Sequence, residues 1–291
     1  MKFRLYCGIK RDGEWFNYCE IKPLKGGSLA LLEGSDKSGA ARILNLVKGS
    51  VSKFLTEDGK EIEPKESDIL NLKVVDTWKI GYEQIKLATG EEYPVIAENF
   101  FCHRCSRPES EHYTLVEESW EKLIEEGFMD ETFLENPDWT YDVNLPIPVE
   151  IAQSKAIVGG TFDHIIMDPL SLGDMLKIHK NSEAMESEAN MIYATWDAML
   201  LKIPAVTDKD LNILKRVSGQ SFSRRYFQDN ENIEAIENAE NANMLGVDAK
   251  DRKIACQHCH EEIGGYLDLS NFFLPLLQKK SSRNHQGKIP E

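Results

Sequence analysis

The sequence predicts an α+β protein: predominantly helical lobes, two β-hairpin elements and a zinc ribbon built from two distant C-x2-C turns. Three observations lead there. Residues 2–24 and 140–167 each alternate apolar and polar positions around turn residues, the period of a strand pair. Residues 39–55 and 185–203 repeat apolar positions at spacings of three and four, the period of a buried helix face. Finally, Phe101-Cys102-His103-Arg104-Cys105 and Ala255-Cys256-Gln257-His258-Cys259-His260 carry the same cysteine spacing. Two thiolates so spaced can grip one metal ion from a tight turn.

In the first hairpin, Phe3, Leu5, Cys7 and Ile9 alternate with polar residues, Asp12-Gly13 turns, and residues 15–21 return. Gly26-Gly27 then interrupts the pattern. Ala40, Ile43, Leu44, Val47, Val51, Phe54 and Leu55 predict one helix over 39–55, closed by Asp58-Gly59. Ser67 is placed to cap a short helix to Leu72, and Asp76 a second that carries Trp78, Ile85 and Leu87 to Gly90. Residues 93–101 then read as extended and deliver Cys102.

Beyond the first cysteine pair, Leu115, Val116, Trp120, Leu123 and Ile124 predict an amphipathic helix ending at Gly127. Residues 129–139 are acidic and aromatic, a connector. The second hairpin covers 140–151 and 155–167, with Pro146 and Pro148 confining its first arm to an edge. Ser171-Leu172-Gly173-Asp174 has the form of a capping box. Met185, Ala189, Ile192, Trp196, Met199 and Ile203 make the seam of a buried helix ended by Pro204. Thr207 opens a helix over 208–217, and 232–245 is a polar helix expected to face solvent. The expected division is therefore 1–105 (hairpin plus helices), 106–139 (connector), 140–277 (hairpin plus helices) and 278–291 (polar, locally basic tail).

The cysteines leave three readings open. All four thiolates, Cys102, Cys105, Cys256 and Cys259, could share one tetrahedral Zn site; one pair could recruit His112, or His258 and His260; or the thiols could stay reduced and metal-free. A four-thiolate site has no open coordination position, so the zinc would be structural. The residue after each second cysteine is Ser106 or His260, not the glycine that eases a left-handed backbone there.

Composition narrows the function classes. A formal charge of −15 argues against nucleic acid and anionic membranes as general partners. No apolar run is long enough to span a bilayer, and the opening residues have no signal-type apolar region, so synthesis in a reducing cytoplasm is expected. Cys7 and Cys19 could face each other across the first hairpin, with buried thiols the simpler reading. Catalytic motifs are missing: there is no phosphate-binding glycine loop, no H-E-x-x-H and no G-x-S-x-G. Asp163, His164 and Asp168 form the best acid/base candidate, but on a strand Asp163 points away from the other two. No enzyme is expected. Phe272, Phe273, Leu274, Leu276 and Leu277 make an apolar segment that must be covered, by the chain itself or by a partner.

Leu145-Pro146-Ile147-Pro148 is followed by Met167-Asp168-Pro169-Leu170-Ser171-Leu172-Gly173-Asp174, helices, Cys256-x2-Cys259 and Asn271-Phe272-Phe273. In this succession residues 140–277 resemble baseplate-hub and tail-assembly proteins of contractile-tailed bacteriophages. Residues 39–105 echo the scheme, with a helix, an Asp76-led helix, Gly90 and a cysteine pair. The resemblance implies a non-enzymatic virion protein of the tail baseplate, made in the host cytoplasm and assembled with other tail subunits. Cys256 and Cys259 would hold metal, and Phe272 and Phe273 would dock. Two alternatives are a tail-assembly chaperone absent from the virion and a zinc-ribbon adaptor on host transcription or replication machinery.

Overall fold

A computed structural model describes residues 1–24, 39–90, 95–101, 104–106, 108–118, 139–153, 159–181, 184–217, 221–242, 246–249, 253–255, 258–260 and 262–264. Helices and antiparallel sheets are mixed through them, as an α+β chain requires. The chain forms two compact units. The first comprises Met1–Ile69, Val75–Glu131 and Leu245–Glu291; the second comprises Leu70–Val74 and Thr132–Met244.

In the first unit, β1 (Lys2–Arg11) and β2 (Glu14–Ile21) form the expected hairpin, turning at Asp12 and Gly13, both with positive φ. The helix expected over 39–55 is shorter. Helix α1 spans Gly39–Ser50, and Val51–Leu55 becomes strand β3, paired with β2. The Ser50 hydroxyl donates to the Leu46 carbonyl as the helix ends, and Val51, Phe54 and Leu55 are buried in the sheet instead. Pairing outweighs a periodicity that helix and strand share over so few residues. Strand β4 (Glu61–Ile62) completes the order β1-β2-β3-β4.

Next come α2 (Glu66–Asn71) and α3 (Val74–Thr89). Asp76 does not cap α3. Its fully buried carboxylate accepts the backbone N–H groups of Tyr6 (2.6 Å), Cys7 (3.1 Å) and Gly8 (3.0 Å). These amides sit where the β1–β2 register slips between Arg4 and Ile9, and the helix supplies them an acceptor. The slip also separates Cys7 from Cys19, which stands opposite Phe3. Burial pushes the Cys19 thiol far above its ordinary range.

Strand β5 (Val95–Phe101) follows, and then β6 (Pro108–Glu118). The helix expected from Leu115 and Val116 is thus a strand over these residues; Trp120, Leu123 and Ile124 lie outside the described residues.

The second unit opens with β7 (Tyr141–Ile151) and β8 (Gly160–Met167), the second expected hairpin, with β7 at the sheet edge as its prolines require. Helix α4 (Leu172–Lys180) starts on the capping box. The Asp174 N–H donates to Ser171 Oγ (3.1 Å), and that hydroxyl donates to the Asp174 carboxylate (2.7 Å). The long expected helix over 185–203 is divided: α5 spans Glu188–Met199, and Leu200–Lys202 forms β9 on β8. Helix α6 (Asp208–Val217) is capped by Thr207 as expected, and a short α7 (Phe222–Tyr226) precedes α8 (Asn230–Ala242). Far from lying wholly in solvent, α8 packs on β7 and fully buries Asn232 and Ile236. The core gathers Val143, Phe162, Ile165, Met167, Trp196 and Phe222.

The chain then returns to the first unit. β10 (Gly246–Ala249) pairs with β6, giving the order β10-β6-β5, and β11 (Lys253–Ala255) pairs with β12 (Glu262–Gly264). Gly246, next after the helix expected over 232–245, begins a strand.

Candidate metal centre

Both C-x2-C sequences sit at the turn of an antiparallel hairpin, and the hairpins match residue for residue. One strand ends at Phe101, immediately before Cys102; the other ends at Ala255, immediately before Cys256. In each case the return strand starts three residues after the second cysteine, at Pro108 and Glu262. Cys105 and Cys259 are half-buried, while Arg104 and His258 beside them are exposed. Cys102 and Cys256 lie outside the described residues, as do Phe272, Phe273, Leu274, Leu276 and Leu277.

The backbone after each second cysteine carries the clearest signal. Ser106 has φ of 54° and His260 has φ of 56°. Among the described residues the one other non-glycine with positive φ is Asp12, in a two-residue hairpin turn that calls for it. A left-handed backbone costs a side-chain-bearing residue about 1–2 kcal/mol. The same cost at the same position of two unrelated stretches marks a geometry that the turn needs. A residue in this conformation curls the chain back past the second cysteine, so that successive N–H groups can point at a bound anion or thiolate. Serine and histidine thus adopt the conformation for which glycine was expected.

Strand topology bears on whether the two turns can cooperate. β10 runs antiparallel to β6, with Gly246 opposite Glu118 and Ala249 opposite Leu115. It therefore heads toward the end of β6 that carries Cys105. Beyond the Leu115–Ala249 rung, Cys105 and Cys259 each stand ten residues along the chain. The long segment between the cysteine pairs leaves and rejoins one sheet.

Among the described residues no three His, Cys, Asp or Glu side chains gather as a metal-binding group. The acid/base candidate does not assemble. His164 reaches across to β7, with Nδ1 3.1 Å from Asn144 Oδ1 and Nε2 3.3 Å from Asp142. Asp168 pairs with Lys73 at 2.5 Å, and Asp163 is exposed. A register slip between Asn144 and Val149 breaks the alternation of β8, so Phe162, Ile165 and Met167 point inward and His164 does not share their face. Among the described residues no helix is long and apolar enough to cross a membrane.

Comparison with family models, with curated proteins and with solved structures finds no match.

Proposed function

We propose that this chain is a non-enzymatic structural protein, held by one zinc ion on Cys102, Cys105, Cys256 and Cys259, that acts through protein–protein contacts in a phage tail baseplate. The observation that carries the metal is the repeated turn: two hairpins with the same strand ends, cysteine spacing and left-handed residue. Four thiolates saturate a tetrahedral ion and leave no position for water or substrate, which gives the ion an architectural role. The baseplate assignment rests on the resemblance of residues 140–277. Docking is assigned to the apolar run Phe272, Phe273, Leu274, Leu276 and Leu277, and its neighbours are other tail subunits in a hetero-oligomeric assembly. A pre-tied lobe loses less freedom on assembly than a loose one.

Elemental analysis of the purified chain tests the metal. About one zinc per chain is expected, and Cys105→Ser or Cys259→Ser should each lower it sharply. Full retention in both variants would refute the shared site. Particle composition tests the assembly role: the chain should be recovered by mass spectrometry from density-purified tail particles. Presence in the lysate but absence from particles would favour an assembly chaperone. Recovery on a polymerase instead would favour the adaptor.

A further inference from the structure

The parts of the metal-bearing region are held with unequal strength. β5 and β6 pair over seven rungs, β10 and β6 over four, and β11 and β12 over three. A two-stranded ribbon of three rungs does not persist alone in water, and four rungs at a sheet edge are little better. The second unit, by contrast, has its own core around Phe162, Trp196 and Phe222. It needs nothing from β10 to stay folded.

Resting on the zinc reading above, we infer that the ion is a latch for the returning strand. With zinc bound, the second turn is tied to the first and β10 is held on β6. Without it, β10, β11 and β12 come away while the second unit stays folded. The inserted unit then loses its exit tether and keeps its chain connections at the entry and through Leu70–Val74. The physical basis is that metal-binding free energy is folding free energy for elements too short to fold unaided.

Hydrogen exchange on the full chain, loaded with zinc and then treated with 1,10-phenanthroline, provides the test. Backbone amides of 246–249, 253–255 and 262–264 should exchange on the order of 100-fold faster after chelation. Amides of 143–149, 162–167 and 196–200 should keep their rates, and re-added zinc should restore the first set. If zinc is present and chelation leaves 246–249 protected, the latch is wrong and the metal site stands. If the second unit loses protection together with β10, the latch is also wrong, because the chain then melts as one. If the purified chain binds no zinc at all, the metal reading fails and the latch with it. Cys259→Ser, which removes one ligand without a chelator, should reproduce the fast exchange at 246–249.

Discussion

Single polar side chains hold the places where the strands depart from regularity. Asp76 answers three backbone amides at once, and burying a carboxylate is tolerable when hydrogen bonds saturate it. Asp76→Ala would remove the acceptor that those buried amides share, and an unfolding midpoint in urea should report a loss of about 3 kcal/mol or more. Asn232 performs the analogous task on β7. Its Oδ1 accepts the Ile147 N–H (3.0 Å) and its Nδ2 donates to the Ile147 carbonyl (2.9 Å), inside the slip flanked by Pro146 and Pro148. Asn232→Leu fits the volume but not the chemistry, and should cost about 2–3 kcal/mol in the same measurement. Glu240 is governed by burial, which raises its carboxyl above the ordinary value; the Trp196 Nε1–H that it accepts opposes this, and Glu237 adds to it. Across from it, burial raises the Tyr141 hydroxyl in turn, helped by Glu240 and Asp168. The native state therefore holds the Glu240 proton more tightly than the unfolded chain. That contribution is fully present below the unfolded pKa and is lost as pH rises through the folded one. Glu240→Gln keeps an acceptor for Trp196 and removes the titration. Its stability at neutral pH should exceed the parent's, with a shallower decline as pH rises above the ordinary glutamate pKa. Thermal melts across that range read the difference.

At the scale of elements, local chemistry was legible and pairing was not. Caps at Ser171 and Thr207 and the turn at Asp12-Gly13 are set by residues within three positions of each other, so the sequence declares them. Val51–Leu55, Leu200–Lys202 and the Leu115–Val116 region carry apolar residues that suit helix or strand equally. What decides them is an open strand edge elsewhere, on β2, β8 or beside β5, which no local window contains. Asn232 and Asp76 escaped for the same reason: their partners lie 85 and about 70 positions away. The cysteine pairs were visible at once, and so was the position behind each where a left-handed backbone belongs, but serine and histidine there spoke against a positive φ that both adopt. That misfit makes a prediction. Ser106→Gly and His260→Gly relieve a backbone that the turn already imposes, each by about 1 kcal/mol. If the proposed zinc site is formed, both variants should retain the ion at a higher chelator concentration than the parent. Weaker retention would show that those side chains contribute more to the turn than their strain removes.

Over the whole molecule, the governing fact is that one sheet is interrupted by an inserted unit. β6 and β10 are neighbours in space, yet the second unit's Thr132–Met244 lies between them in the chain. Bringing the ends of so long a segment together while it is unfolded costs chain entropy, and four rungs cannot offset much. Once the segment has folded on its own core its ends are no longer those of a random coil, and closure becomes cheap. The order of folding follows: the second unit first, the β6–β10 rungs and the proposed metal turn afterwards. Pulse-labelled hydrogen exchange during refolding in zinc should show 143–149 and 196–200 protected before 246–249. Adding zinc late should delay only the latter set. Should 246–249 be protected first, the metal would be gathering the chain ends ahead of the lobe, and the inserted unit would fold inside a loop already closed.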